Sequence, residues 1–509
     1  MSDGIYILSI SVGVHDSCIT ISSEKEILLH LEAERVFHAK HMRCTPKQII
    51  HLITVGLDYL QLHIGSISEL VMATDDRRTG KLKGLLKGPS KREAIILGKS
   101  FKPLFSDHHT SHIATCSPSG FLETLIICAD GGSREGSTKF YHKTENSIIE
   151  LANFSHEIIT GKFYGTVTQL VVNPDIYKAH IDFPGKTMGL AGWGEFSPTF
   201  HRLLDENRKE LNQLHFDSVA KLRKLFGISS DYNKPWCDKK RRDLAFTAQK
   251  FWEDDFIKKI EKYANLSRNI CLVGGCALNT NLNTKILNSG IFDNVYIPPV
   301  SSDSGQSLGA ILHFFPEIKV CYPFLGRGFG EPEEIPPRVV DDLLEHKIVA
   351  WYQGRSEIGP RALGHRSFLG LPDSDAMRVK LSEKVKRREP YRPVSPIIIE
   401  KDVDSYFDFQ SRSNFMNFVP MAKNITKKKS PAIVHKDGTS RIQTLCKKSN
   451  PILYGIIEEL NGKGKPPILM NSSFNVMGQP IVDTPEDALR TFKKSETDVL
   501  YINGRRQSK

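Results

Sequence analysis

Apolar and polar positions alternate along Ile5-Tyr6-Ile7-Leu8-Ser9-Ile10, the period of a β-strand. The run breaks at Gly13-Val14-His15-Asp16-Ser17 and resumes at Cys18-Ile19-Thr20-Ile21, and a second strand from Glu26 to Leu31 completes a hairpin. Similar apolar runs end in glycine turns at Thr124 to Gly132 and at Asn269 to Gly275, while Asp243 to Tyr263 reads as helix. Strands that alternate with helices and end in small-residue turns predict α/β layers with ligands at the strand ends. Between Tyr322 and Arg338 glycine, proline and acidic residues dominate. That stretch is the expected linker between a first domain, 1–335, and a second, 336–509, opening on the strand Ile348 to Tyr352.

Size supports this division, because 509 residues exceed the roughly 250–300 that one core sustains. With 39% hydrophobic and 25% charged residues the composition is that of a globular protein. No apolar run nears the roughly 20 residues of a membrane span, and Met1-Ser2-Asp3-Gly4 does not begin a leader, so no membrane partner and a cytoplasmic location are expected. The nine cysteines are dispersed with no C-x-x-C pair, and read as small buried hydrophobes in a reducing compartment. Net charge is +11, concentrated in Arg77, Arg78, Lys81, Lys83, Lys87, Lys91 and Arg92, with compact clusters at Lys239 to Arg242 and Lys427 to Lys429. A solvated surface that attracts small phosphorylated substrates and a polyanionic partner such as DNA fit this charge equally.

The chemistry-bearing residues are scattered. In Asp107-His108-His109-Thr110-Ser111-His112, His108 and His112 are four apart and share one helix face, a spacing suited to a metal ion. Asp130 ends an apolar run and opens the turn Asp130-Gly131-Gly132, where a carboxylate beside backbone amides suits a metal or a phosphate. In the second domain, Gln353 to Ser367 combines Arg355, Arg361 and Arg366 with glycines that let phosphate approach the backbone. Lys386-Arg387-Arg388-Glu389, Arg392 and Arg441 add positive charge, and Asn471-Ser472-Ser473-Phe474-Asn475 follows the strand Pro467 to Met470. Together these groups suit a nucleoside triphosphate and a second anion.

In this order, the motifs resemble the O-carbamoyltransferases of the NodU/CmcH/TobZ type over nearly the whole chain. The resemblance rests on G-x-x-H-D-S (Gly13 to Ser17), Glu34-Arg35 with Lys40, D-H-H-x-S-H, D-G-G, G-K-x-M-G-L-A (Gly185 to Ala191), G-G-x-A-L-N (Gly274 to Asn279) and Asp303. It continues through Q-G-R-x-E-x-G-P-R-A-L-G-x-R-S, K-x-R-E, D-G-T-x-R-x-Q and N-x-S-F-N. Cys276, in place of a usual aliphatic residue, and the very basic Lys386 to Arg388 are departures.

The resemblance implies an α/β fold: a duplicated actin/hexokinase-like (Kae1-like) first domain and a twisted-sheet YrdC-like second domain. It implies a carbamoyltransferase using ATP and carbamoyl phosphate, with Mg2+ accompanying ATP. In the second domain Lys386, Arg441, Ser473 and Asn475 would form carbamoyl-adenylate, with Arg361, Arg366 and Asn471 as further nucleotide contacts. In the first, His108, His112, Asp130 and Asp303 would hold one divalent metal, iron(II) by resemblance and zinc or manganese by donor chemistry. Gly131, Gly132, Lys186, Gly274, Gly275 and Asn279 would line the nucleotide, and His15, with Lys40 beside it, would be general base for an acceptor hydroxyl. That hydroxyl would belong to a small molecule or to a hydroxymethylated pyrimidine in DNA. A threonylcarbamoyl-type tRNA-modifying enzyme and an actin-fold kinase are the alternatives, and the kinase leaves the second domain unexplained.

Overall fold

In the computed structural model, which describes residues 4–73, 85–87, 93–133, 136–173, 181, 183–213 and 216–509, two five-stranded sheets share one strand order. The first pairs β1 (Tyr6–Ser11), β2 (Cys18–Ser23), β3 (Ile27–Glu32), β4 (Ile67–Ala73) and β5 (Leu104–Ser106) as β3-β2-β1-β4-β5. The second pairs β6 (Thr124–Ser133), β7 (Gly136–Lys143), β8 (Ile148–Asn153), β9 (Asn269–Val273) and β10 (Asn294–Tyr296) as β8-β7-β6-β9-β10. In both sheets the first three strands are antiparallel and the last two join in parallel. Parallel neighbours require a crossover, which α1 (Pro46–Leu60) supplies between β3 and β4. This repeat of a single permutation is the duplicated α/β arrangement of the actin/hexokinase-like class.

The strand period decides which helix covers which face. Leu8 and Ile10 of β1 pack in the cluster that holds Ile49, Leu52 and Ile53 of α1. Ile7 points the other way, into a cluster with Leu308 and Ile311. Two helices between the sheets position the metal-type ligands: α2 (His108–Ala114) and α3 (Gln306–Phe314) lie side by side. A Cβ at Gly309 would sit 1.8 Å from the Ser111 carbonyl oxygen, so only glycine permits this approach.

The C-terminal sheet contains β11 (Val349–Tyr352), β12 (Arg366–Gly370), β13 (Ser395–Ile399), β14 (Gln443–Leu445), β15 (Ile468–Ser473), β16 (Val499–Ile502) and β17 (Arg505–Ser508). Their order is β14-β13-β15-β12-β11-β16-β17. Two sequence expectations shift here. Asn471 to Ser473 do not follow their strand: they pair with Leu369 to Ser367 and are its last three residues, so Asn471 and Ser473 share a face. Likewise Asp130 to Gly132 lie within β6 rather than in a turn after it.

N- and C-terminal regions pack directly together. Arg35, from a one-turn helix after β3, binds Glu32 through Nε at 2.6 Å and donates to Ser356 Oγ at 2.6 Å and to the Gly359 carbonyl at 2.7 Å. The Gly359 amide donates back to Glu32 Oε1 at 2.9 Å. Burial pushes the Glu32 carboxyl up and the Arg35 guanidinium opposes that, so the charges depend on one another. Elsewhere, the Asn283 amide donates to the Asn417 carbonyl at 3.1 Å and the Val419 amide to Thr284 Oγ1 at 2.7 Å.

Among the described residues no helix is long and apolar enough to cross a membrane. Cys18, Cys44, Cys116, Cys128 and Cys271 are buried as expected, whereas Cys237, Cys321 and Cys446 are exposed. In the basic stretch from Arg77 to Arg92, all the named cations except Lys87 lie outside the described residues. Lys87 belongs to a short strand, Leu86–Lys87.

Candidate active site

Asp107 caps the N-terminus of α2 by accepting from the Thr110 amide at 2.8 Å, which fixes the rotation of His108 and His112 toward β6. Asp130 from β6 and Asp303 from the short turn before α3 meet them there. Asp130 Oδ2 lies 2.9 Å from His108 Nε2 and 3.2 Å from His112 Nε2, and those two nitrogens are 3.2 Å apart. Asp303 Oδ1 is 3.3 Å from His112 Nε2 and 3.7 Å from His108 Nε2. Ligand bonds of about 2.0–2.2 Å at a tetrahedral angle place neighbouring donors roughly 3.3–3.6 Å apart, so this set fits a divalent cation at its centre. Burial would raise the Asp130 pKa, but the two histidines hold its carboxyl well below the usual range.

His15 borders this cluster, with Nε2 3.7 Å from Asp303 Oδ2 and Nδ1 2.7 Å from Asp16 Oδ2. Burial works against its charge, yet the Asp16 hydrogen bond and the nearby Asp303 and Asp130 charges push the imidazole up to about 9. A bound cation neutralises part of that field and lowers this value. The structure therefore brings His15, His108, His112, Asp130 and Asp303 together across more than half the chain.

Of the residues expected to line the nucleotide, the glycines of β6 and of the turn after β9 lie nearest this cluster. Gly274, in a left-handed conformation at φ 86, would drive a Cβ to 2.1 Å from the Ala129 carbonyl, so glycine is needed for β6 and the turn after β9 to meet. A Cβ on Gly275 would lie 3.2 Å from Asp130 Oδ1, which places its backbone beside the cluster. Gly131 and Gly132 extend β6, and the Lys162 side chain lies against Gly132. Asn279 caps a helix through Leu282 and exchanges amide hydrogen bonds with Gln249 at 3.0 and 3.1 Å. Lys186 reaches across to the C-terminal region and pairs with Glu389 at 2.5 Å.

A second centre forms on the C-terminal sheet. A π-helical turn, Lys380–Val385, delivers Lys386, whose buried ammonium donates to Ser473 Oγ at 2.9 Å and also to the Ser473 carbonyl and Asn475 Oδ1. Ser473 Oγ in turn donates to Asn475 Oδ1 at 2.7 Å. The half-buried Arg361, Arg388 and Arg441 crowd the same volume with Arg392. Burial, then Arg388, Lys40 and Arg392, depress the Lys386 pKa well below its ordinary value. Burial and the neighbouring arginines do the same to Arg388 and Arg441, and bring Arg361 to about 10. So many depressed cations on one side of a sheet form a cradle for a multiply charged anion.

Asn471 braces this cradle rather than facing it, donating to the Ala362 carbonyl at 3.1 Å and to Gln443 Oε1 at 2.8 Å. Arg366 does not join it. Its guanidinium is fully buried, stacks on Tyr352 at 3.6 Å and donates to the carbonyls of Gln353, Gly354 and Arg327. Sequence reasoning counted Arg388 and Arg392 only in the general positive charge suited to a nucleoside triphosphate and a second anion, and did not single out His41, or Lys162 beside Gly132. A signal existed for Lys162, because Thr160-Gly161-Lys162 opens a helix capped by Thr160.

Two family models match the chain: Carbamoyltransferase N-terminus over residues 93–312 and Carbamoyltransferase C-terminus over 340–509. Nodulation protein NolO of Bradyrhizobium diazoefficiens is 30% identical, the match covering 78% of this chain and 77% of NolO. Nodulation protein NolNO of Sinorhizobium fredii is 28% identical over 96% of this chain and 78% of its own length. A solved structure, an activator of 2-hydroxyisocaproyl-CoA dehydratase from Clostridium difficile with bound ADPNP, aligns over 61% of this chain and 95% of its own at 12% identity and a TM-score of 0.38. The chain belongs to the carbamoyltransferase family of NodU and NolO type and is a transferase enzyme.

Proposed function

We propose that the enzyme is an ATP-dependent O-carbamoyltransferase that divides its reaction between domains 1–335 and 336–509. In the second domain water cleaves carbamoyl phosphate to carbamate and inorganic phosphate. A carbamate oxygen then attacks the α-phosphorus of ATP, and pyrophosphate leaves from carbamoyl-adenylate. Lys386, Arg361, Arg388 and Arg441 offset the charge on the phosphate oxygens, with Ser473 and Asn475 orienting the Lys386 ammonium. In the first domain an acceptor hydroxyl attacks the carbamoyl carbon, the bond to the AMP oxygen breaks, and His15 Nε2 takes the hydroxyl proton. His108, His112, Asp130 and Asp303 would hold a divalent cation, which would supply Lewis-acid charge for the adenylate phosphate.

The observation that carries this reading is the pair of centres of opposite character at one seam. One is a cage of two imidazoles and two carboxylates, and the other is a cationic cradle whose charges include Lys40 from the N-terminal region. A kinase needs only one of them.

The test is incubation with ATP, carbamoyl phosphate and a panel of sugars, free hydroxymethylpyrimidine nucleotides and hydroxymethylated DNA, read by mass spectrometry for the added carbamoyl group. Pyrophosphate release that depends on carbamoyl phosphate is expected. Release of ADP instead would overturn the reading in favour of a kinase. His15→Asn is expected to keep pyrophosphate release and to lose at least about a hundredfold in transfer, since asparagine retains polar shape and cannot take the proton. Unchanged transfer by His15→Asn would remove His15 from the role of base.

A further inference from the structure

Two imidazoles, His15 and His41, are arranged around the single carboxylate of Asp16. Asp16 presents Oδ2 to His15 Nδ1 at 2.7 Å and Oδ1 to His41 Nδ1 at 2.9 Å. Burial would raise its pKa, but the hydrogen bonds from His15 and His41 hold it far below the usual range, so Asp16 is a carboxylate. A carboxylate only accepts hydrogen bonds, and both imidazoles must therefore carry their proton on Nδ1. In the neutral form of His15 this leaves the lone pair on Nε2, the nitrogen that faces the Asp303 side of the metal-type cage.

The backbone is bent to make this arrangement. Asp16 and His41 both sit in the left-handed region, at φ 51 and φ 52, which costs a non-glycine residue and persists where surroundings over-determine it. The surroundings are present: the His41 amide donates to Glu34 Oε2 at 3.0 Å, and the Ser17 amide donates to the Met42 carbonyl at 2.8 Å. The same loop faces the C-terminal region through His38, 3.4 Å from Asp487, and through Lys40, which adds to the charges around Lys386.

We propose that Asp16 and His41 are positioning residues for His15, Asp16 fixing its tautomer and ring plane and His41 fixing Asp16. This rests on His15 being the base. Asp16 accepts from both rings, which stand T-shaped to each other at 6.3 Å between centroids. The role of His41 is to donate a hydrogen bond, not to carry a proton away, so an amide can replace it. Asparagine places an amide nitrogen near the position of Nδ1 and tolerates a left-handed backbone.

The experiment uses the full chain loaded with zinc and labelled with 15N-histidine, with His15 signals assigned by their loss in His15→Asn. Neutral His15 is expected to be protonated at Nδ1 in the wild type and in His41→Asn, and to become a mixture of tautomers in Asp16→Ala and His41→Ala. With ATP, carbamoyl phosphate and water as the hydroxyl probe, AMP release should fall about 10–100-fold in His41→Ala and recover in His41→Asn, while the pyrophosphate and carbamoyl-adenylate formed in a single turnover stay at the wild-type level. A wild-type His15 tautomer in both alanine variants would overturn the proposal, as would a His41→Asn protein as slow as His41→Ala. Loss of a second bound metal on going to His41→Ala would also overturn it, assigning Asp16, Glu34 and His41 to a cation instead. Thermal unfolding checks each variant, and Asp16→Ala and His41→Asn remain informative where His41→Ala does not fold. If His15→Asn transfers normally the base assignment fails. If His15→Asn is dead and His41→Ala is normal, only the positioning role fails.

Discussion

His112→Ala protein is expected to fold, to purify without its divalent cation, and to lose about 10³-fold in carbamoyl transfer while still releasing pyrophosphate from ATP and carbamoyl phosphate. His112 is fully buried, and its Nε2 lies within 3.3 Å of His108, Asp130 and Asp303 at once. Without it the cage keeps one imidazole facing two carboxylates, too few donors to close a four-ligand site. His109 is the matched control. It is equally buried on the same helix, but its Nε2 contacts the Gly136 carbonyl at 3.2 Å, so His109→Gln should keep the metal. Metal per chain by mass spectrometry is the deciding measurement. A full complement of metal in His112→Ala would take the cage away from the cation.

The reverse separation is expected of Lys386→Met. Pyrophosphate release should fall roughly 10³-fold, because a group aimed at phosphate oxygens acts in the transition state, whereas metal content should not change. Stability should move in the opposite sense from most buried substitutions. A base whose folded-state pKa lies below its unfolded value costs stability at every pH below that unfolded value, and the cost disappears only above it. Lys386 is such a base, so at neutral pH the methionine variant is expected to melt no lower than the wild type in phosphate-free buffer. Added pyrophosphate should raise the melting temperature of the wild type more than that of the variant. Wild-type pyrophosphate release by Lys386→Met would return the arginine cluster to a structural role.

Local periodicity made much of this molecule readable from its sequence. The alternation in Ile5 to Ile10 is β1, and the predicted helix from Asp243 to Tyr263 falls within Lys239–Ile260 and the short turn after it. The four-residue spacing of His108 and His112 works because α2 puts both on one face. What spacing cannot reveal is the direction of a long side chain. Arg366 and Arg388 look alike in the sequence, yet one turns into the core to bind carbonyls of its own loop and the other joins the cationic cradle. His41 was invisible for a similar reason: its partner Asp16 is 25 residues away, brought to it by the hairpin and the Ser17–Met42 hydrogen bond. The duplicated strand order was also hidden, since its copies share topology and not residues.

The clamp at Arg35 bears on how such enzymes can recombine. Apart from Ser356, the C-terminal groups that this guanidinium binds are backbone carbonyls, of Glu357 and Gly359, and Glu32 takes a backbone amide. Backbone atoms are the same in every sequence that follows the same path. A C-terminal half inherited from a distant relative would therefore satisfy the buried charge pair wherever its loop kept this shape, and chimeric genes joined near residue 336 are constrained at this contact by loop geometry more than by residue identity. A half-gene expressed alone has no such partner, and would expose an ion pair built for burial.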